Sequence, residues 1–193
     1  MKSIAIFCGA SSGHNPVYQE AAHTLGTMFA QKGIKLVYGG GKVGLMGVIA
    51  DAVLAGGGEV VGVIPQSLVD MEVAHMGLTE LHVVQTMHER KALMAAESDA
   101  FVAMPGGFGT FDEFCEIVTW NQLGIIQKPA ALYNVNGYFD AFLQMLSHSV
   151  SEGFLKPAHR DNLIIETQPE VLLDQLLHHA PVMTQKWVDF KRI

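Results

Sequence analysis

Two spacings of apolar residues alternate along the chain. Short, mostly apolar runs occupy residues 4–8, 35–38, 60–64, 81–85, 100–104, 129–133 and 163–165. A run that is apolar at consecutive positions is buried on both faces, as in a parallel sheet covered by helices on both sides. Between these strands apolar residues recur three and four apart, the helical period. The first helical stretch ends near residue 31, with Ala22, Leu25, Phe29 and Ala30 on its apolar side. Asn15 can cap it, Pro16 suits its first position, and Lys32-Gly33 stops it. Further helices are predicted to about residue 55, from Thr86 onward, over 111–123, over 138–152 with Gly153 just beyond, and from a cap at Thr167 to about residue 179. Residues 65–79 show no clear period and read as a long loop, and residues 181–193 show no pattern. The alternation predicts an α/β fold: one Rossmann-like domain over residues 1–193, doubly wound, with a mostly parallel sheet and helices on both faces.

Composition narrows the partners. The chain has 193 residues, 49% of them hydrophobic and 16% charged, which suits a well-buried globular domain. A net charge of −7 argues against nucleic acid or an anionic membrane as a general partner. A small anion stays compatible, because local donors matter more than net charge. The two cysteines, Cys8 and Cys115, form no disulfide framework and read as reduced thiols. The apolar part of the N-terminal stretch is too short for a signal peptide, and no run approaches the roughly 20 apolar residues of a membrane helix. The expected location is cytoplasmic. Nine histidines show no metal-binding spacing, and no Gly-x-Ser-x-Gly elbow supports a serine nucleophile.

Candidate chemistry gathers at glycine turns. In residues 104–113 a buried strand runs through Gly106, Gly107 and Gly109 into a helix start. Such a turn leaves backbone N–H groups free for an anion, most simply a phosphate, and glycine permits positive φ and close approach of a ligand. Thr110-Phe111-Asp112-Glu113 also fits a capping box, with Thr110 as cap and Glu113 reaching back. A cap does not need the three glycines, and a carboxylate beside a bound phosphate needs its own reason. A second turn, Gly39-x-Gly41-x-x-Gly44, matches the dinucleotide fingerprint formally. The acidic residue expected about 20 positions on, at the end of the next strand, is missing, since that strand ends in Ile64-Pro65. Nor is it a P-loop, because Val43 follows Lys42. What remains is a turn facing phosphate or ribose, without NAD or ATP. The loop 9–15 lies at the first strand's carboxyl end, where it too can touch a ligand.

Thr86-Met87-His88-Glu89 is another capping box, and it puts Arg90 and Lys91 in or just after a first helical turn. Cations prefer the opposite end of a helix, so the pair either answers an anion or is simply solvated. Asp70, Glu72 and His75 lie in the 65–79 loop, where a carboxylate can reach a ligand or face water. Glu116 and Trp120 share a helical face with Glu113, and Thr119 lies near it.

These motifs together resemble a known family. Pro105-Gly-Gly-Phe-Gly-Thr-Phe-Asp-Glu113 is similar to the Pro-Gly-Gly-x-Gly-Thr-x-x-Glu motif of the Lonely Guy (LOG) family, cytokinin riboside 5′-monophosphate phosphoribohydrolases often mislabelled as lysine decarboxylases. Met87-x-x-Arg90-Lys91 resembles that family's second motif. Cys-Gly-Ala-Ser-Ser near the N-terminus, the Tyr-Gly-Gly-Gly turn and residues 117–124 also fit, and the likeness covers about residues 3–180. It implies a Rossmann-like homodimer that hydrolyses the N-glycosidic bond of a nucleoside 5′-monophosphate to free base and ribose 5-phosphate, with no cofactor. It implies Arg90 and Glu113 as the catalytic pair, with Glu72, Lys91, Gly107, Phe108, Gly109, Thr110 and Thr119 binding the nucleotide. Ser11, Gly40, Gly41 and Glu116 are further candidates for the pocket. Breaking the N-glycosidic bond builds positive charge on the ribose, and a carboxylate there can stabilise the cation, activate the water or attack directly. A non-catalytic nucleotide or cofactor carrier on the same fold is the alternative; it shares the glycine turns but has no use for a carboxylate beside a phosphate. A pyridoxal-phosphate decarboxylase finds no clear Schiff-base lysine context here.

Overall fold

The computed structural model of the chain describes residues 1–71 and 73–179. Its strands are β1 (Ser3–Phe7), β2 (Lys35–Tyr38), β3 (Val60–Pro65), β4 (Glu80–Val84), β5 (Ala100–Ala103), β6 (Ala130–Tyr133) and β7 (Ile164–Glu166). The helices are α1 (Val17–Lys32), α2 (Gly44–Ala55), α3 (Gln66–Val69), α4 (Met87–Ala96), α5 (Phe108–Leu123), α6 (Asp140–Ser151), α7 (Pro157–Asp161) and α8 (Pro169–His178). The strands form one parallel sheet in the order β4-β3-β2-β1-β5-β6-β7. Strand order reverses beside β1, because the chain first builds outward to β4 and then returns to β1's other edge as β5. Connections leave β1 and β5 toward opposite faces, which opens a crevice at their carboxyl ends.

Strand alternation divides the core. Ile4, Ile6, Leu36, Tyr38, Val102 and Met104 join Leu25 of α1, Ile49 of α2 and Leu172 of α8 on one face. Ala5, Phe7, Val37, Phe101 and Ala103 join Met94 of α4 and Phe114 and Ile117 of α5 on the other. Both faces are covered, which is why the central strands read as solid apolar runs. No helix among the described residues is long and apolar enough to cross a membrane.

Local signals set most ends. Asn15 Oδ1 accepts from the Val17 N–H at 3.1 Å, and Gly33 closes α1 at φ 63°. The Thr86–Glu89 capping box forms in full at the start of α4. Other boundaries differ from expectation. The helix expected over 138–152 starts only at Asp140, because Asn136 and Gly137 take positive φ (52° and 69°) in a 3₁₀ turn and break the helical path. The loop expected over 65–79 contains α3, and part of it is tied to the β2 turn: Lys42 N–H donates to Val73 O at 2.9 Å and His75 N–H to Gly40 O at 2.8 Å. Backbone pairing of that kind leaves no apolar period to read. Thr167 does not cap α8, which begins behind Gln168 with Pro169 in its first turn. The short α7 had no sequence signal. Glu72 and the patternless residues 181–193 lie outside the described residues.

Candidate functional site

Three turns meet at the carboxyl ends of β1, β2 and β5. Gly9 N–H donates to Pro105 O at 3.0 Å, and Leu45 N–H donates to Gly9 O at 3.0 Å. Gly44 holds φ 61°, and a Cβ there would lie 2.3 Å from the carbonyl carbon of Ala10, so only glycine lets these backbones close. They enclose a cavity of about 400 Å³. The turns after β1 and β5 line it with Gly9, Gly107, Gly109 and Thr110, a wall rich in backbone. The β2 turn, α2 and the segment after β3 line it with Val43, Met46, Leu68, Met71 and Val73, an apolar wall. A second hollow of about 420 Å³ shares Gly9, Ala10 and Gly107 with the first and adds Ser11, Ser12, Tyr18 and Tyr138. Tyr138 donates its hydroxyl to Gly106 O and packs edge-on against Tyr18.

Arg90 and Glu113 both line the first cavity and are both buried. Arg90 Nη1 lies 2.8 Å from Glu113 Oε1, and Arg90 Nε donates to Val63 O at 3.0 Å. The guanidinium is therefore held by a strand and by a second helix. Burial pushes the Glu113 carboxyl above the ordinary glutamate range; the charge of Arg90 pulls it back, and Asp112 pushes with the burial. Cys8, at the end of β1, lines the same cavity, and burial raises its thiol so far that it stays protonated.

The glycines earn their places differently from expectation. None of Gly106, Gly107 and Gly109 has positive φ. A Cβ on Gly106 would lie 2.1 Å from Thr110 Oγ1 and 2.9 Å from Gly9 N, whereas one on Gly107 or Gly109 would meet nothing within 4 Å. Gly106 is thus required by packing, and Gly107 and Gly109 keep the cavity wall open. Gly106→Ala is expected to lower the melting temperature by several degrees, as for a loss on the order of 1 kcal/mol. Gly107→Ala should leave it unchanged, because a Cβ there meets nothing within 4 Å. Equal melting temperatures for the two variants would contradict this division.

The capping box at Thr110 does not form. The helix starts earlier, behind Gly107, so Thr110 lies inside its first turn and Glu113 faces Arg90 instead of its own backbone. Arg90 and Lys91, at the unfavourable end of α4, are explained by carboxylates of α5: Lys91 Nζ lies 3.1 Å from Asp112 Oδ2 and 2.9 Å from Glu116 Oε2.

The structure brings Arg90, Glu113, Gly41, Gly107, Gly109 and Thr110 to one cavity, with Ser11 in the adjoining hollow. Gly40 sits behind the wall at φ 74°, where a Cβ would press on Ile64. Phe108 is 95% exposed. Lys91 and Glu116 pair with each other beside the cavity. Thr119 is elsewhere: its hydroxyl donates to Cys115 O at 2.7 Å, and it lines a separate cavity of about 150 Å³ with Phe142 and Leu146. Glu72 falls outside the described residues. Sequence reasoning placed Gly39 in a ligand-facing turn without its closeness to Arg90, and missed Cys8, the apolar wall and Asp112. Gly39 stood in a visible glycine run, and Asp112 lies four residues before Glu116 on one helical face; the apolar wall had no signal.

Similar proteins identify the family. Residues 46–176 match the family described as possible lysine decarboxylase. The cytokinin riboside 5′-monophosphate phosphoribohydrolase of Rhodococcoides fascians is 50% identical over 165 residues, 85% of this chain and 83% of that protein. LOG7 of Arabidopsis thaliana, of the same description, is 46% identical over 93% of this chain and 83% of that protein. Among solved structures, the molybdenum cofactor binding protein of Rippkaea orientalis superposes with a TM-score of 0.69 at 21% identity, covering 91% of this chain and 95% of that one, a likeness of fold alone. With this sequence identity over most of its length, the chain belongs to the LOG family of cytokinin riboside 5′-monophosphate phosphoribohydrolases.

Proposed function

We propose that this protein hydrolyses the N-glycosidic bond of a nucleoside 5′-monophosphate, releasing free base and ribose 5-phosphate. The observation that carries the reading is the buried Arg90–Glu113 pair, 2.8 Å apart, in a cavity walled by glycine-rich turns on one side and apolar side chains on the other. The relatives' activity supports it. The phosphate takes the N–H groups of the turns after β1 and β5, at the start of α5, with Gly107, Gly109 and Thr110. The ribose lies against Glu113, and the base lies toward Val43, Met46, Leu68, Met71 and Val73. An apolar wall favours an adenine with an alkyl N6 substituent, the cytokinin riboside monophosphates, with AMP as the smaller substrate. Water adds across the bond: its hydroxyl joins C1′, its proton ends on the base, and the bond electrons leave with the base nitrogen. Glu113 faces the cationic ribose of the transition state, and burial, by raising its proton affinity, suits it to proton transfer. Arg90 orients Glu113 and offers donors to ribose or phosphate oxygens. Glu72, Phe108 and Thr119 enter this reading through family likeness alone.

A product assay tests it. AMP and N6-isopentenyl-AMP should each yield base and ribose 5-phosphate, while the corresponding nucleosides yield neither. Absence of release from every monophosphate tried would sink the proposal and leave the carrier reading, which rests on a shared fold.

The same proposal includes a cytoplasmic homodimer. Its support is unpaired apolar surface: α6 has no fully buried residue, Met145 and Ile125 are exposed, and Phe154 is 90% exposed. Light scattering should give twice the 20.9 kDa of one chain, and a monomer at micromolar concentration would overturn it.

A further inference from the structure

The apolar wall of the cavity is built from two separate stretches of chain. Val43 and Met46 belong to the β2 turn and the start of α2, whereas Leu68, Met71 and Val73 belong to the connection between β3 and β4. That connection crosses the β2 turn as a strap. Val73 O accepts from Lys42 N–H at 2.9 Å, His75 N–H donates to Gly40 O at 2.8 Å, and Ala74 faces Gly41 in an antiparallel bridge. A Cβ on Gly41 would lie 2.8 Å from Met46 Cε and 3.7 Å from Val73 O, so the two halves of the wall meet over this glycine. Two hydrogen bonds about one bridged pair fix where the strap crosses, but not its tilt toward α2. A side chain supplies that restraint. The His75 side chain is 14% exposed, and its Nε2 lies 2.9 Å from Oδ1 of Asp51 on α2. Its Nδ1 accepts from Gly77 N–H at 3.1 Å. A backbone N–H can only donate, so in this bond Nδ1 carries no proton, and Nε2–H is the donor to Asp51. Both ring nitrogens are committed, one to the strap itself and one to the helix that carries Met46.

We propose that His75 is a positioning residue for substrate choice: by pinning the β3–β4 connection to Asp51 of α2 it holds Met71 and Val73 at a set distance from Met46, and so favours an N6-alkylated adenine nucleotide over AMP. The inference rests on the hydrolase reading above, with the base lying toward the apolar wall. Asp51 is 71% exposed at its side chain, so the pair contributes little to global stability. Its effect is local. Met71 is exposed, and its place in the wall follows the tilt of the strap. An alkyl group gains dispersion energy only in close contact, and a gap of about 0.5–1 Å already forfeits a quarter to a half of that attraction. The bare amino group of AMP presents no alkyl carbon to the wall and loses less. Ribose and phosphate face the Arg90–Glu113 pair and the turns after β1 and β5, so the bond-breaking step is largely indifferent to the pin.

The test compares wild type with His75→Ala, Asp51→Ala, the double variant, and Asp51→Asn, whose amide oxygen can still accept from Nε2–H. It reads steady-state kinetics on N6-isopentenyl-AMP and on AMP. In wild type, KM should be lower for N6-isopentenyl-AMP than for AMP. Each alanine variant is expected to raise KM for N6-isopentenyl-AMP on the order of tenfold. KM for AMP, and kcat for both nucleotides, should stay within about twofold. The double variant should be no worse than either single one, because both remove the same link. Asp51→Asn should behave as wild type. If His75→Ala does not fold, Asp51→Ala against Asp51→Asn carries the comparison. A loss in His75→Ala with wild-type values in Asp51→Ala would mean that the histidine acts without Asp51, and would overturn the proposal. Equal loss on both nucleotides, or a wild type with equal KM for the two, would overturn it as well. If wild type turns over no monophosphate, the hydrolase reading fails, while calorimetric binding of the two nucleotides to the same variants still decides whether the pin sets the preference.

Discussion

Glu113→Gln is expected to lower AMP turnover on the order of a thousandfold or more while the protein stays folded. The substitution keeps the side chain's shape and one carbonyl oxygen for Arg90 Nη1, and removes the negative charge that faces the ribosyl cation. Glutamine cannot accept a proton from water, so both roles a carboxylate can play here vanish together. KM should change far less than kcat, because phosphate and base are read by other walls of the cavity. The pH dependence of stability provides a second measurement. Burial raises the folded-state proton affinity of Glu113 above its unfolded value. A group raised in this way contributes its stability at low pH, below the unfolded pKa, and loses it as pH rises through the folded value. Melting temperatures across this range should therefore fall in wild type relative to Glu113→Gln as pH increases. A difference that stays flat with pH would mean that Glu113 is not held in a desolvated site.

Gly39→Ala is expected to cut kcat/KM by about a hundredfold through Arg90, without adding or removing any charge. A Cβ at this position would lie 1.9 Å from Arg90 Nη2 and 3.0 Å from its Cζ. The guanidinium cannot swing aside freely, because Val63 O holds Nε and Glu113 holds Nη1. One of those bonds has to break, and each change misplaces a donor relative to the ribose. Arg90 also shields Glu113 from the full cost of burial, so its displacement should shift the acid limb of the kcat/KM profile to higher pH. Gly39→Ala with wild-type kinetics would show that the space at Gly39 is not what positions Arg90.

The parts of this protein that follow from short-range order were legible in its sequence. Solid apolar runs such as 100–104 could only be strands covered on both sides, and strand–helix alternation then left a doubly wound sheet as the economical solution. The Thr86–Glu89 box and Gly33 marked helix ends because their partners lie within a few residues. The paired motifs around Arg90 and Glu113 indicated the family. What local pattern could not decide was which partner a residue with two options would take. Thr110 and Glu113 match a capping box letter for letter, yet the helix begins three residues earlier than the period suggested, and Glu113 turns to Arg90. Arg90 and Lys91 read either as a pair answering an anion or as solvated cations. Folding sends them to different carboxylates, Arg90 to the cavity and Lys91 to the flank.

The sequence by itself therefore determined the strands, the longer helices, the sheet class and the family, because those depend on periodicity and on partners close along the chain, while the short α3 and α7 carried no such signal. Only the tertiary structure decided that Gly39 makes room for Arg90, that Gly106 yields to Thr110, and that Val43, Met46, Leu68, Met71 and Val73 form one wall. The first and the last relate residues that follow different strands, β2 with β4 and β2 with β3, brought side by side by the sheet. Those two depend on distances of a few ångströms across separate loops, which no spacing along the chain encodes, and the contact of Gly106 with Thr110 depends on where α5 starts.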